Sequence, residues 1–267
     1  MVNLLVAAAL AAATPAAPPP LPAHTDTPAM FVVHDADTTI YIFGTFHALD
    51  GKSQWFDRDV RNAFEKSDEL VLETLIPERP AQPVTFGPGF RPPSVTPSAS
   101  FLATTRMAIS AGQAQGMQVD NGADMVLRHQ AEAEGKPVEG LETLQFQIDM
   151  FNHMPSSSAG TEVRKAGQPV VSNQMESLSK AMSDMQSAWK RGDQSVFVSM
   201  LNQLKTASPD TYRMMFTERN ARWADWIKAR METPGTVFVA VGAGHLAGTD
   251  SLLVRLAERG IPSQRVY

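Results

Sequence analysis

Two apolar, β-branched runs lie near opposite ends of the chain, at residues 38–43 and 236–241, and each stops at a Gly-x-x-His turn. The first reads Tyr41-Ile42-Phe43-Gly44-Thr45-Phe46-His47-Ala48-Leu49-Asp50-Gly51 and the second Val239-Ala240-Val241-Gly242-Ala243-Gly244-His245-Leu246-Ala247-Gly248. Each is an apolar strand, a glycine turn, a small loop and then a helix, which predicts two pseudo-symmetric strand-turn-helix-strand halves. In an open α/β sheet, functional groups collect just beyond the carboxyl ends of the strands, and both histidines fall at that kind of position. The glycine three residues before each histidine is expected to turn the backbone sharply, so that the imidazole projects over the strand end rather than into the core.

The intervening segments fit a mixed α/β chain with a helical middle. Residues 30–33 and 38–43 read as a hairpin across His34-Asp35-Ala36-Asp37, 55–67 as a helix with Val60 and Phe64 on one face, and 70–72 as a buried strand ending at Glu73. Residues 77–100 are so rich in Pro, Gly and Ser that neither a helix nor an inner strand can run through them, which predicts a long surface loop. Two helices broken near 116–122 are expected over 103–135, then a strand at 138–141, a helix at 143–154, a loop at 156–173, and helices at 175–191 and 194–204. Ser208-Pro209-Asp210 starts one long helix to Arg230, with Ser as N-cap and Pro at the first helical position. A strand at 236–241, a helix at 251–259 and a short strand at 264–267 complete the expected order. With 267 residues, 43% of them hydrophobic, the chain can bury a sizeable core, and residues 24–267 read as one domain.

A formal net charge of -5 offers no concentrated basic face, so nucleic acid is set aside as a partner. The absence of cysteine removes disulfides, thiolate metal sites and cysteine nucleophiles, leaving histidine and carboxylates as the available metal ligands. Residues 4–13 form an apolar run of signal-peptide length, followed by Ala13, Ala16, Ala17 and the prolines 18–20. No Lys or Arg precedes that run, so its only positive charge is the amino terminus. Residues 1–23 are read as a secretory signal with a Pro-rich linker, against a disordered low-complexity tail as the alternative. The destination is then periplasmic or secreted, with membrane contact only through the signal.

Neutral imidazole is both a common metal ligand and a base near neutral pH, so His47 and His245 converging would suit either task. Each could instead satisfy buried polar groups at its turn. Glu73 ends the strand at 70–72, at a similar height above the sheet if the strands are parallel neighbours, and is a candidate metal ligand or general base, with a helix cap or surface ion pair as the plainer reading. Glu142 ends the strand at 138–141 in the same way and ranks second. Arg219 shares a helical stripe with Tyr212, Met215, Trp223 and Trp226, and its i±3 and i±4 neighbours include no acid. A buried guanidinium needs a partner, which would be a carboxylate such as Glu73, backbone carbonyls or an anionic substrate. The alternative is an arginine snorkelling past the tryptophans to water. Asn220 stands beside it as a further hydrogen-bonding group. The methionines read as gap fillers spread through helices.

The strand and turn at Ile42-Phe43-Gly44-Thr45-Phe46-His47, the strand end Leu70-Val71-Leu72-Glu73, the segments Gly140-Leu141-Glu142-Thr143 and Glu218-Arg219-Asn220, and above all the second turn resemble the TraB/GumN family over roughly residues 30–267. The family includes the Tiki peptidases and shares a fold with ChaN-like and erythromycin-esterase-like proteins. The resemblance implies a metal-dependent peptidase using a divalent ion such as manganese or cobalt, with His47, His245 and Glu73 as ligands and Arg219 beside them. An exported metallohydrolase acting on a peptide or protein is therefore the leading expectation. A non-catalytic envelope protein holding a metal, haem or peptide on the same residues is the alternative, and an envelope scaffold a third. Residues 77–100 depart from the family pattern, where more helix is expected.

Overall fold

A computed structural model describes residues 27–56, 58–75, 110–154 and 171–266. The expected signal and linker at 1–23, the loop at 77–100, the start of the helix at 103 and residues 156–170 of the second loop lie outside the described residues.

The chain enters through β1 (Met30–His34) and β2 (Thr38–Thr45), an antiparallel hairpin whose turn is closed by Asp35. Its carboxylate accepts from the backbone N–H of Asp37 and Thr38, a local bond that Asp makes readily in turns. Helix α1 (Arg58–Lys66) leads to β3 (Glu69–Thr74). After a 3-10 turn at Val119–Asn121 come α2 (Ala123–Glu134), β4 (Val138–Glu142) and α3 (Leu144–Asn152). Gly135 ends α2 with φ +70, where a side chain would be strained, and the Thr143 hydroxyl caps α3 by accepting from Phe146 N–H. Helices α4 (Val171–Lys190) and α5 (Ser195–Ala207) form the helical middle.

The long helix expected from Ser208 to Arg230 runs continuously from Pro209 to Arg230, with a π turn inserted after its first turn. A four-residue helix α6 (Pro209–Tyr212) runs into a π turn (Arg213–Thr217), and α7 (Glu218–Arg230) follows. Pro209 takes the first helical position, but Ser208 caps no backbone N–H, its hydroxyl bonding Thr211 Oγ1 at 2.7 Å instead. Strand β5 (Gly235–Gly242), a 3-10 turn (Ala243–Leu246), α8 (Leu252–Glu258) and β6 (Gln264–Arg265) close the chain. Two other boundaries move: α1 starts past Trp55 and Phe56, and α4 begins at Val171 rather than 175.

The strands form one mixed sheet in the order β4-β3-β5-β2-β1-β6, with β4, β3, β5 and β2 mutually parallel. Strand β5 is covered on both faces, so its residues alternate between two cores while the whole run stays apolar. Phe238 and Ala240 face Phe43, Trp55, Phe64 and Trp189, whereas Val237, Val239 and Val241 face Ile40, Ile42, Trp223 and Leu252. No helix among the described residues is long and apolar enough to cross a membrane.

The two Gly-x-x-His strands are direct neighbours, but the resemblance between their halves stops at strand and turn. Their register pairs Gly44 with Val241 and Thr45 with Gly242, a one-residue slip between the motifs. The first turn stays extended and the second winds into a 3-10 helix. After the first, β3 joins the sheet beside β5; after the second, β6 goes to the far edge beside β1.

Candidate functional site

Because four neighbouring strands are parallel, the residues at their carboxyl ends are brought to one edge of the sheet: His47 just past β2, Glu73 in β3, Glu142 ending β4 and His245 just past β5. Arg219 reaches into this group from α7 and is 4% exposed. Its Nε donates to both oxygens of Glu142, at 3.1 and 2.9 Å, and Nη2 donates to Glu73 Oε2 at 2.8 Å and lies 2.9 Å from Glu142 Oε2. Nη1 donates to Met215 O at 3.4 Å and to His245 Nε2 at 3.2 Å, and the guanidinium lies over Trp223, 4.5 Å from the ring centroid. Every nitrogen of the fork is engaged. Burial opposes the charge, but the Glu73 and Glu142 carboxylates outweigh it and raise the Arg219 pKa further.

Glu73 is anchored from two sides, because its other oxygen, Oε1, accepts from Gly242 N–H at 2.6 Å. Burial would raise its pKa; His245, Arg219, His47 and the Gly242 N–H lower it instead, to about 2. Since His245 is itself neutral at ordinary pH, Arg219 and His47 are the charges that hold Glu73 ionised there.

His245 is 5% exposed, wedged between Phe216 and Trp223 with ring centroids 4.8 and 4.4 Å away. Its Nδ1 lies 2.7 Å from Asn220 Oδ1, and Asn220 Nδ2 donates to the Asp250 carbonyl at 2.8 Å. A carbonyl can only accept, so the amide must present its oxygen to the histidine; Nδ1 then carries the proton and Nε2 accepts from Arg219. Burial, with the Arg219 and His47 charges, lowers the His245 pKa to about 3 against the pull of Glu73. The ring is a neutral strut.

His47 is the opposite case. Its ring is 62% exposed within a cavity, and Nδ1 lies 3.2 Å from Asp124 Oδ1 in the first turn of α2. Burial against the cavity walls works to lower its pKa, but the Asp124 hydrogen bond and charge, with Glu73 behind them, raise it to about 9. Nε2 faces Gly242: a Cβ on that glycine would sit 3.2 Å from His47 Nε2 and 3.1 Å from Glu73 Oε1. The glycine is therefore needed for close approach and not for a special turn, since its φ of -53 is open to any residue. Gly44 has the same role, its Cβ position being 3.2 Å from Ala243 Cα, so that one turn packs on the other.

These groups line one end of a cavity of about 560 Å³. Its remaining wall is mostly apolar and holds Met125, Met182, Met185, Met200 and Met215. Taken as spread gap fillers from the sequence, these methionines converge from four elements. The helical spacing of Met182 and Met185 was a partial signal; Asp124, with no motif around it, had none. A second cavity of about 420 Å³, lined by residues such as Leu49, Trp55 and Asn121, holds no ionisable side chain among the described residues.

All six residues singled out in the sequence are thus found in one connected cluster: His47, Glu73, Glu142, Arg219, Asn220 and His245. Among the described residues, however, no group of three or more His, Asp or Glu side chains is arranged to hold a metal ion. The donor chemistry gives the reason: the His245 lone pair points at the Arg219 cation, which also holds Glu73 through Oε2. An ion held by both histidines does not fit the side chains as they stand, because Arg219 would first have to release His245. No curated protein and no solved structure matches the chain, whereas the model of the TraB/PrgY/gumN family matches residues 29–87 and 92–265, and the chain belongs to that family.

Proposed function

We propose that the chain is an exported hydrolase of neutral amide or ester bonds, with peptides as its first substrate class. The observation that carries this reading is the convergence of His47 Nε2 and Glu73 Oε1 on one point above Gly242, at the polar end of the cavity. Once His47 has lost its proton, a water within reach of both atoms has an acceptor on each side. Glu73, fixed by Arg219 and the Gly242 N–H, orients the water. Neutral His47, its Nδ1–H held by Asp124, takes the proton as the water oxygen adds to the carbonyl carbon. Protonated His47 then gives that proton to the departing amine or alkoxide as the carbon–nitrogen or carbon–oxygen bond breaks. Arg219, His245 and Asn220 act through Glu73 as positioning residues, since the arginine has no nitrogen left for an oxyanion. Export rests on the apolar run at residues 4–13.

Manganese or cobalt, the cofactor that the family resemblance implies, would supply a more acidic bound water. Such an ion could draw on His245 only after Arg219 had released it. A fluorogenic peptide library incubated with metal-stripped protein, and with protein loaded with Mn or Co, tests the whole reading. His47→Ala is expected to lower kcat by about 100-fold or more. Turnover that appears only with added ion and is abolished equally by His245→Ala would transfer the chemistry to a metal. The second reading, a non-catalytic binding protein, is favoured by the largely apolar cavity wall. It becomes the answer if wild type and His47→Ala show the same background under every loading.

A further inference from the structure

The five cavity methionines come from α2, α4, α5 and the π turn, so their meeting is not the buried stripe of a single helix. None of them is fully buried: each lines the cavity and keeps part of its surface exposed, although Met182, Met185 and Met200 also pack against the core. The apolar wall also begins right beside the polar cluster. A Cβ on Gly244, the residue before His245, would lie 3.3 Å from the Phe216 ring and 4.0 Å from the Met200 methyl. At the polar end, the two arginines in the lining are engaged, Arg219 as described and Arg128 with Glu132 at 2.7 Å. His47 is paired likewise, with Asp124 at 3.2 Å, so the cavity offers no unpaired cation, among the described residues, to receive a carboxylate.

From this the geometry points to the substrate class: the cavity takes a bulky, uncharged apolar side chain next to the bond presented to His47 and Glu73. A charged side chain would lose its hydration on the methionine wall without gaining a partner, and a small one would leave the space unfilled. Because unbranched thioethers adapt their shape, the wall discriminates strongly by polarity and size and weakly by shape, accepting leucine, methionine, phenylalanine and tryptophan alike. The inference rests on the hydrolase reading for the placement of the scissile bond, but the pocket itself is tested by binding alone.

The test uses the full chain with ¹³C-methyl-labelled methionine and four neutral-backbone probes, the N-acetyl amides of tryptophan, leucine, alanine and glutamate. Tryptophan and leucine amides are expected to bind about 10-fold or more tighter than alanine amide, with glutamate amide weakest, and to shift the Met182, Met185 and Met200 methyl signals. Met200→Gln and Met182→Gln, which keep the length of the side chain but add a polar end, should weaken tryptophan-amide binding about 10-fold, while Met200→Leu retains it. Equal binding of all four amides by the wild type overturns the inference, as do methyl shifts confined to methionines outside the cavity. Failure of the hydrolase reading looks different: the apolar amides bind at the methionines, but the wild type turns over no peptide carrying those side chains.

Discussion

His47 and His245 follow glycine turns on adjacent parallel strands, yet one ring is 62% exposed and the other residue 5% exposed. His245 has both nitrogens committed, one to Asn220 and one to Arg219, and aromatic rings on either side. Among the described residues His47 has only Asp124 as a hydrogen-bond partner, and its second nitrogen faces Gly242 in the cavity lining. The pKa values diverge accordingly, to about 9 for His47 and about 3 for His245, although each ring feels the charge of Glu73. A repeated motif thus fixes where a side chain starts, while the neighbours it meets decide its task. One histidine holds the site together, and the other is the one to which the proposed reaction assigns the proton.

The largest effect expected from disturbing this arrangement is at Arg219, on which both halves depend. Arg219→Met retains the bulk but leaves Glu73 and Glu142, with side chains 15% and 4% exposed, without the cation between them. Breaking a buried ion pair by removing one partner costs about 3–5 kcal/mol, and urea unfolding should register a loss of that size. A loss below about 1 kcal/mol would mean that the carboxylates relax to water and that the network is not what positions Glu73.

Next in size is the direct contrast between the two histidines. His245→Ala empties the space between Phe216 and Trp223 and leaves Asn220 Oδ1 and Arg219 Nη1 short of a partner, which should cost about 2–3 kcal/mol. Above pH 9, where His47 has lost its proton, His47→Ala gives up one contact at an exposed ring, and its effect on unfolding should stay within about 1 kcal/mol while turnover is lost. Equal destabilisation by the two substitutions would erase the division of labour.

Much of this cluster was legible because strand ends can be read from pattern. The apolar runs closed by Gly44, Glu73, Glu142 and Gly242 marked four strands, and parallel pairing carries their ends to one edge. Arg219 advertised a tertiary acid by standing on an apolar stripe with no acid in helical reach. Glu73 was the acid favoured from sequence, and Arg219 binds Glu142 as well. What stayed hidden arises from packing between remote segments. Asp124 meets His47 across 77 residues because α2 docks over the end of β2, and nothing near Asp124 signals that approach. The π turn was hidden for a different reason: Arg213–Thr217 contains no glycine or proline to interrupt a 3.6-residue period, so one unbroken helix was the natural reading. The expected pseudo-symmetry overreached, since a shared strand and turn do not determine where the chain goes afterwards.

Gly242→Ala tests the shared point between the halves at a smaller scale. The added methyl would press on Glu73 Oε1 and His47 Nε2 together, at 3.1 and 3.2 Å. Crowding of this kind costs about 1–3 kcal/mol, and it should also displace the His47 ring signals in NMR spectra. Unchanged ring shifts would mean that the two atoms do not face one point.

The smallest effect, and the most specific to the comparison, is in the pH dependence of stability. His47 has a folded pKa of about 9 against an ordinary 6.5, so its contribution is complete below pH 6.5 and is lost as pH rises through 9. His245, held near 3, contributes above pH 6.5 and loses that contribution as pH falls toward 3, and Glu73 follows between 4.5 and about 2. Wild-type thermal stability should therefore decline on both sides of about pH 6.5. In His47→Ala the decline between 6.5 and 9 should flatten, and the acid side should flatten to a lesser degree because His245 and Glu73 lose one of the charges that lower their pKa values; in His245→Ala the acid side should flatten between 6.5 and 3. Turnover by neutral His47 would rise over the same alkaline interval in which the folded state weakens, because both follow loss of the same proton. A His47 ring titrating near 6.5, or melting curves that run parallel for wild type and His47→Ala from pH 6.5 to 9, would remove the Asp124 pairing from the account and with it the reason the two turns differ.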